Sequence, residues 1–348
     1  MWQHEIKKTI PLLDNNGNLT EPGWAKKPLP IYSRSAIKAP ASRIKEWDYY
    51  LVGNDHFAVA LTIADNGYLG MDSISFLNFD TDEQITKSPV RIMPMGKTGL
   101  PRASGEGVSA VSGKGYGITF LHVDGKELGP ARQLLFCMDD FAEGQPVQGS
   151  ILLVDEPEES MVICTPFEKK GHFYYNQKIN CMRASGSVTI GSQTYHFDPD
   201  NSFGVLDWGR GVWPYRNSWY WSSASGIVDG VRFGFNLGYG FGNGFAATEN
   251  VLIYDGKINK LSHVKFKIPG RPGQEDFMSP WMFNDDSGRL ELQFYPVMNR
   301  VAKTDLKVLT SDQNQVFGRF SGRAVLDDGT PLQINDLFGF AEKVVNKW

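Results

Sequence analysis

From Trp47 to Phe79 the chain reads WDYYLVGNDHFAVALTIADNGYLGMDSISFLNF, with β-branched and aromatic runs cut by Gly53-Asn54-Asp55 and Asp65-Asn66-Gly67. Runs bounded in this way predict antiparallel strands joined by tight turns, because Asn, Asp and Gly tolerate the left-handed backbone that a two-residue hairpin turn needs. The pattern recurs in GKGYGITFLHVDGKEL, ILLVDEPEESMVICTPF, GSVTIGSQTYHFDP, GIVDGVRFGFNLGYG, NVLIYDGKINKLSHVKFKI, GRLELQFYPV and GRFSGRAVLDDGTPL. Helical spacing is not sustained over ten or more residues, and FGFAEKVVNKW at the C-terminus is the nearest approach to a short helix or a final strand. The expected fold class is mostly β, with little helix.

A long series of hairpins favours closed sheets, since closure removes the edges that would otherwise recruit other chains. Barrels of about eight strands are of ligand-holding size, and two of them account for a chain of 348 residues. No internal repeat is visible, so the two would share shape without sequence. The expected division is residues 1–248, an N-terminal barrel with an extended, proline-interrupted N-terminal arm, and residues 249–348, a C-terminal barrel, the alternative being strands shared across the boundary.

Composition narrows the class further. Hydrophobic residues make up 41% and charged residues 21%, enough for a sizeable core. The net charge of −4, with no strip of lysines and arginines to follow a phosphate backbone, argues against nucleic acid as a partner. No apolar run approaches the roughly 20 residues of a membrane-spanning helix. The opening MWQHEIKKTIPLLDNNG places charges where a signal peptide needs an apolar stretch, and the expectation is a cytoplasmic protein. Cys137, Cys164 and Cys181 are an odd number at wide spacing, read as buried free thiols rather than a disulfide framework or a zinc site. The six histidines never fall at metal-ligand spacing, so no metal is expected. Neither a nucleophile elbow nor a dinucleotide-binding glycine pattern is present, and no cofactor is implied.

The most unusual window is NSFGVLDWGRGVWPYRNSWYWSSASG, residues 201–226, which holds four of the nine tryptophans. Asp207, Arg210 and Arg216 are charges set among large rings, and a charge buried there must be paired or have its pKa displaced; Asp207 with Arg210 is the pair that proximity offers. Trp219 and Trp221 would share one face of a strand, Ser218 and Tyr220 the other. Trp208, Trp213, Tyr215, Arg216, Trp219 and Trp221 are the substrate-binding candidates. The structural alternative is that the indoles fill a barrel core and that Asp207 and Arg210 cap a turn. Glu106, in PRASGEGVSAVSGKGYG, is a second candidate acid, against the commoner reading of a solvated turn residue. His196 and Asp198, in TYHFDPDNSFGVLDW, are candidates for proton transfer beside Asp207, against that of a strand histidine satisfied by a hydrogen bond.

The segments WAKKPLPIYSR, RIKEWDYY, LDWGRGVWPYRNSWYWSSASG and QVFGRFSGRAVLDDGTPLQINDLFGFAEKVVNKW resemble, over almost the whole chain, a bacterial and fungal domain-of-unknown-function family. That family is grouped with two-barrel lipocalin-like proteins including carotenoid hydratase (hydroxyneurosporene synthase), tocopherol cyclase and lipocalin-like Diels-Alderases. The resemblance implies two lipocalin-like barrels and acid-assisted chemistry on long hydrophobic polyenes or prenyl chains without a redox cofactor. Asp207-Trp208-Gly209 followed by Trp219-Tyr220-Trp221 is similar to a paired segment of the hydratases, which makes Asp207 the implied proton donor. The hydratases carry a histidine beside that Asp, where this chain has Leu206 and Trp208. Fold therefore transfers more directly than reaction.

These readings converge on a cofactor-independent acid/base enzyme, an isomerase, hydratase or cyclase, acting on an apolar alkene-containing lipid or isoprenoid, with indole faces stabilising a developing cation. If Asp207 and Arg210 are paired, Glu106 or Asp198 must supply the acid. The alternatives are a carrier of hydrophobic ligands such as lipids or fatty acids, and a barrel pair filled by side chains with a surface for a protein partner. A buried carboxylate against the pocket separates the enzyme from the carrier, whose lining would be smooth and apolar.

Overall fold

The computed structural model describes residues 3–125, 129–305 and 310–347. The end of the GKEL turn, residues 126–128, and the last residue of the C-terminal segment lie outside them. Two large antiparallel sheets dominate. The first has fourteen strands; its main path runs Glu83–Lys87, Leu69–Asn78, Phe57–Asp65, Lys45–Gly53, Phe203–Val212, Phe173–Ile190, Gln145–Val154, Gly129–Ala142, Tyr116–Gly125, Val108–Gly113. The second has nine: Lys257–Lys260, Val251–Tyr254, Val231–Tyr239, Arg216–Val228, Pro331–Lys347, Thr310–Val325, Leu290–Asp305, Trp281–Asp285, Val264–Lys267. Each sheet curls until its far strands approach, Glu83–Lys87 against Gly129–Ala142 in the first and Val231–Tyr239 against Val264–Lys267 in the second. The chain is thus two lipocalin-like β-barrels.

Each barrel has its own core. Leu61, Phe76, Ile118, Leu134 and Trp208 belong to the first, and Phe235, Trp281, Phe283, Phe294 and Phe320 to the second. Helix is confined to two 3-10 turns, Arg34–Ala36 and Ala41–Arg43, and the C-terminal segment is a strand, Pro331–Lys347. Residues 10–31 contribute only strands of two or three residues.

The chain passes from the first sheet to the second between Val212 and Arg216, not near residue 248. The strands Arg216–Val228 and Val231–Tyr239 already belong to the second sheet. Pro214, which has no backbone N–H to give a ladder, sits at the crossing. Sequence reading placed the boundary late because no glycine-rich or polar linker marks it.

Burial patterns show where the barrels meet. Every residue of Phe203–Val212 is buried, as is every residue from Phe173 to Met182, although a barrel wall with one wet face alternates buried and exposed positions. Here one face fills the first barrel and the other is covered by the second. Where the register slips between Ile179 and Met182, Cys181 takes a left-handed backbone (φ 63°) and its N–H donates to Ser225 Oγ at 3.0 Å. Cys164 and Cys181 are buried, but Cys137 is exposed, contrary to expectation, because the alternation of its strand turns it outward.

Candidate functional site between the barrels

Two cross-strand rows face each other across the junction. On the first barrel Lys178, Asp207 and Tyr49 are direct neighbours on three adjacent strands. On the second, Gly238, Trp221, Glu342, Gln315 and Arg300 are neighbours on five. Facing positions of paired strands put side chains within contact distance, so register alone assembles the groups that sequence distance separates.

Asp207 accepts from two sides. Lys178 Nζ lies 2.6 Å from Oδ2, and Asn176 Nδ2 donates to Oδ1 at 2.6 Å. The Lys178 ammonium also lies 3.8 Å from the ring centre of Trp221, whose indole N–H donates to Asn236 Oδ1 at 2.7 Å. The Trp219 indole donates to Glu342 Oε1 at 2.7 Å, and Gln315 Nε2 donates to Oε2 at 3.1 Å. Burial pushes the Glu342 carboxyl up to about 7, a rise that Asp207 adds to and that the Trp219 hydrogen bond, Lys178 and Arg300 oppose. Burial likewise raises Glu249, with Asp207 adding to the rise and Lys178 opposing it. The absence of a side chain at Gly238 makes room for Glu249: a Cβ there would lie 2.3 Å from Glu249 Oε1. Burial raises the Tyr49 phenol to about 12 and Tyr174 well above its ordinary value.

The arrangement sorts the expected site residues by strand parity. Asp207, Trp219 and Trp221 come together at the junction. Arg210, three residues from Asp207, points the opposite way into the first barrel. There its guanidinium is 2.9 Å from Asp48 and 3.8 Å from Glu46, and it donates to the carbonyls of Trp47 and Pro101. The Asp207–Arg210 pair is therefore replaced by Asp207–Lys178. Trp208 also turns inward, between Tyr175 at 5.4 Å, Tyr32 at 6.3 Å and Arg210 at 4.0 Å, so the four tryptophans do not line one cavity. Trp213 is buried at the crossing against Trp47, 5.3 Å away. Tyr215 and Arg216 are exposed.

Glu106 is exposed in the 101–107 segment, which instead uses Ser104 to reach Gln177 and the Arg132 guanidinium. His196 is exposed on the edge strand Gln193–Phe197. Asp198 is exposed too, and its carboxylate accepts from the Asp200 N–H in the following turn. None of the three joins Asp207. Lys178, Asn176, Tyr49, Glu249 and Glu342 were missed. Their signal was present in the polar residues Asn176, Gln177, Lys178 and Asn180, set directly after the aromatic run Phe173-Tyr174-Tyr175, and in a lone acid within the apolar C-terminal alternation.

Beside the rows, a groove of about 330 Å3 opens between the barrels, with Leu51, Val205, Ser223, Phe317 and Phe340 among its walls. Ser223 accepts a hydrogen bond from Asn180 Nδ2 at 2.7 Å, and Phe340 packs edge-on to Trp221 at 4.8 Å. The groove floor thus abuts the charged rows. Among the described residues no group of three or more His, Cys, Asp or Glu is placed to hold a metal, and no helix is long and apolar enough to cross a membrane.

The architecture has solved counterparts. The chain is similar to kievitone hydratase from Nectria haematococca, with a TM-score of 0.51 at 13% identity, 96% of this chain and 98% of that one being covered. It is similar also to CghA with Sch210972, with a TM-score of 0.51 at 11% identity over 99% and 96% of the two chains. At such identities the likeness is one of fold. No curated protein matches the chain by sequence. Residues 3–348 match the model of the family described as "Domain of unknown function (DUF2804)", and the chain belongs to that family.

Proposed function

We propose that the junction is the active site of a cofactor-independent acid/base enzyme, of hydratase, isomerase or cyclase type, acting on a small, largely apolar molecule with a polarised double bond. The observation that carries this reading is Glu342, a buried carboxyl with its pKa near 7, set opposite a carboxylate, Asp207, held in an ion pair. Paired acids in contrasting environments divide the labour of donor and acceptor at neutral pH. Glu342 is the proton donor and Asp207 the acceptor. For hydration, Glu342 protonates one end of the double bond, water adds at the other, and its surplus proton passes to Asp207. For isomerisation a substrate proton takes that second path.

Lys178 refines the substrate class. Its ammonium already covers a face of Trp221, so a free carbocation there would meet a like charge at close range. The same ammonium favours developing negative charge, as on the oxygen of an alkene conjugated to a carbonyl. The indole-stabilised cation expected from sequence gives way to a polarised alkene. Asn176 Oδ1 and Asn180 Oδ1 flank Lys178 on the same strand face and are buried without a hydrogen-bond partner among the described residues; a substrate hydroxyl would satisfy them. The groove volume lies at the lower end of the roughly 300–1,000 Å3 of ligand sites, which suits a compact substrate. A carrier would present a smooth apolar wall without charged rows buried directly behind it.

The kinship in fold to a protein named as a hydratase supports the reaction type as an analogy. The test is to incubate the protein with a panel of apolar enones and dienes in H2(18)O or D2O and to follow label uptake by mass spectrometry. Label incorporated by the wild type and lost in both Glu342→Gln and Asp207→Asn supports the assignment. Incorporation that persists in either variant removes that residue from the chemistry.

A further inference from the structure

A second pocket, of about 860 Å3, lies at the barrel crossing and is lined by Lys38, Arg43, Lys169, Lys170 and His172 together with Asn16, Asn18, Pro214 and Tyr215. No carboxylate is among its lining residues, and among the described residues none of its lysines, nor Arg43, has an ion-pair partner within 4.0 Å. Of the acids in the two turns beside it, Asp14 is committed to the backbone N–H groups of Asn16 and Asn18, at 2.8 and 2.9 Å, and Glu168, next to Lys169 in the chain, is not among the lining residues. In a chain of net charge −4 this is a concentration of unopposed positive charge in a concave site, where field lines focus and anions collect.

The pocket is built rather than merely decorated. Gly171 N donates to Asn18 Oδ1 at 3.1 Å, pinning the 167–172 turn that carries Lys169, Lys170 and His172 onto the N-terminal segment. Gly17, in a left-handed backbone, lies against the Lys38 stem: a Cβ there would come within 2.7 Å of Lys38 Cγ. Arg43 Nη2 donates to the Trp213 carbonyl at 2.8 Å, fixing the guanidinium at the crossing. His172 Nδ1 is buried without a hydrogen-bond partner among the described residues. Tyr215, 41% exposed, adds an aromatic wall with Ala39, Pro40 and Pro214.

We infer that this pocket is a binding site for a small organic anion carrying a phosphate or diphosphate group, the charge held by Lys38, Arg43, Lys169 and Lys170 and the organic part set against Tyr215. Arginine and lysine together suit a multiply charged oxyanion better than a single carboxylate. The site is separate from the groove beside Asp207: the groove is lined by Phe203–Val205 at one end of a strand whose other end leads to Pro214. Its occupation does not depend on the acid/base chemistry proposed there.

Inorganic pyrophosphate is the probe. Burial, then Lys169 and Arg43, hold the His172 imidazole below its ordinary value, and a bound polyanion reverses the electrostatic part of that depression. Pyrophosphate added to the full chain should bind saturably by calorimetry and raise the His172 titration midpoint followed by NMR. The exposed pair Lys169→Glu with Lys170→Glu should weaken binding by about tenfold or more while leaving the fold, read by circular dichroism, unchanged. Lys38→Gln gives an independent second variant should the turn be perturbed. Unsaturable binding, or equal affinity in wild type and both variants, overturns the inference. Flotation with vesicles containing an anionic phospholipid, without binding of soluble pyrophosphate, overturns it in favour of a membrane headgroup. Binding of pyrophosphate without flotation supports the soluble ligand.

Discussion

Glu342→Gln tests the proposed acid through stability as well as through turnover. The Glu342 carboxyl rises from its ordinary 4.5 to about 7 on folding. Because the folded-state value is the higher one, its contribution is complete below pH 4.5 and is lost as pH climbs through 7. At 1.36 kcal/mol per decade the interval corresponds to about 3 kcal/mol between pH 4 and pH 8. Gln at this position has no charge to desolvate and escapes that loss. Its amide oxygen can still accept from Trp219, but its NH2 then confronts Gln315 Nε2. Gln315 cannot simply turn over, because its Oε1 accepts from Arg300 at 3.0 Å and its Nε2 faces the Tyr49 hydroxyl at 3.3 Å. That mismatch costs about 1 kcal/mol.

The difference between variant and wild type should therefore change sign. The variant should be less stable by about 1 kcal/mol at pH 4, level with the wild type near pH 5, and more stable by about 2 kcal/mol at pH 8. Urea unfolding followed by tryptophan fluorescence across this range reads the crossover. Infrared titration should find a protonated carboxyl band that disappears near pH 7 in the wild type and is missing from the variant. A destabilisation that is constant with pH, or a wild type lacking that band above pH 6, would refute the assignment of Glu342 as a proton reservoir. Activity on any substrate found should fall as pH rises through 7.

Asp207→Asn leaves Lys178 buried without its counter-charge and should cost about 3 kcal/mol, recovered in part by adding Lys178→Met, as urea midpoints would report. Arg210→Met removes the counter-charge of Asp48 inside the first barrel, while Glu46 keeps its pairing with Arg34, and should cost about 3 kcal/mol; a thermal melt little different from wild type would count against the buried network. Gly209→Ala puts a Cβ 2.0 Å from the Trp47 indole, so a loss of about 1–3 kcal/mol with altered near-ultraviolet dichroism is expected from displacement of Trp47 and its partners Trp213 and Tyr174. Glu106→Gln and His196→Ala, both at exposed positions, should change stability by less than about 0.5 kcal/mol and leave turnover alone.

The hairpins were legible because each is a local event: a strand of alternating or β-branched residues and an Asn, Asp or Gly turn. The junction was half legible. The density of tryptophans drew attention to 207–221, and alternation along Arg216–Val228 correctly put Trp219 and Trp221 on one face with Tyr220 on the other, where it stacks on Tyr239 at 4.5 Å. Proximity in sequence failed at Arg210, since three steps along a strand reverse the face. Lys178 and Glu342 could not be located because register between distant strands, not any motif, sets Lys178 beside Asp207 and Glu342 beside Trp221. Pro214 was visible, but nothing local distinguishes a proline at a crossing between sheets from one in an ordinary turn.

Burying Lys178, Asp207, Glu249 and Glu342 between two barrels is costly, and apolar residues would hold the interface at least as well. The surrounding contacts show that they can: Leu51, Ala58, Ala60, Val205, Trp221, Met298, Phe317 and Phe340 form a continuous apolar cluster across the same junction. Trp208, Tyr175, Arg132 and Arg210 are among the largest fully buried side chains and take up the interior of the first barrel, while aromatic rings pack the second. With both interiors committed to side chains, the contact between the barrels is where displaced pKa values, unsatisfied acceptors and an open groove coincide. That coincidence is what the proposed active site requires, since stability alone gives no reason to keep it.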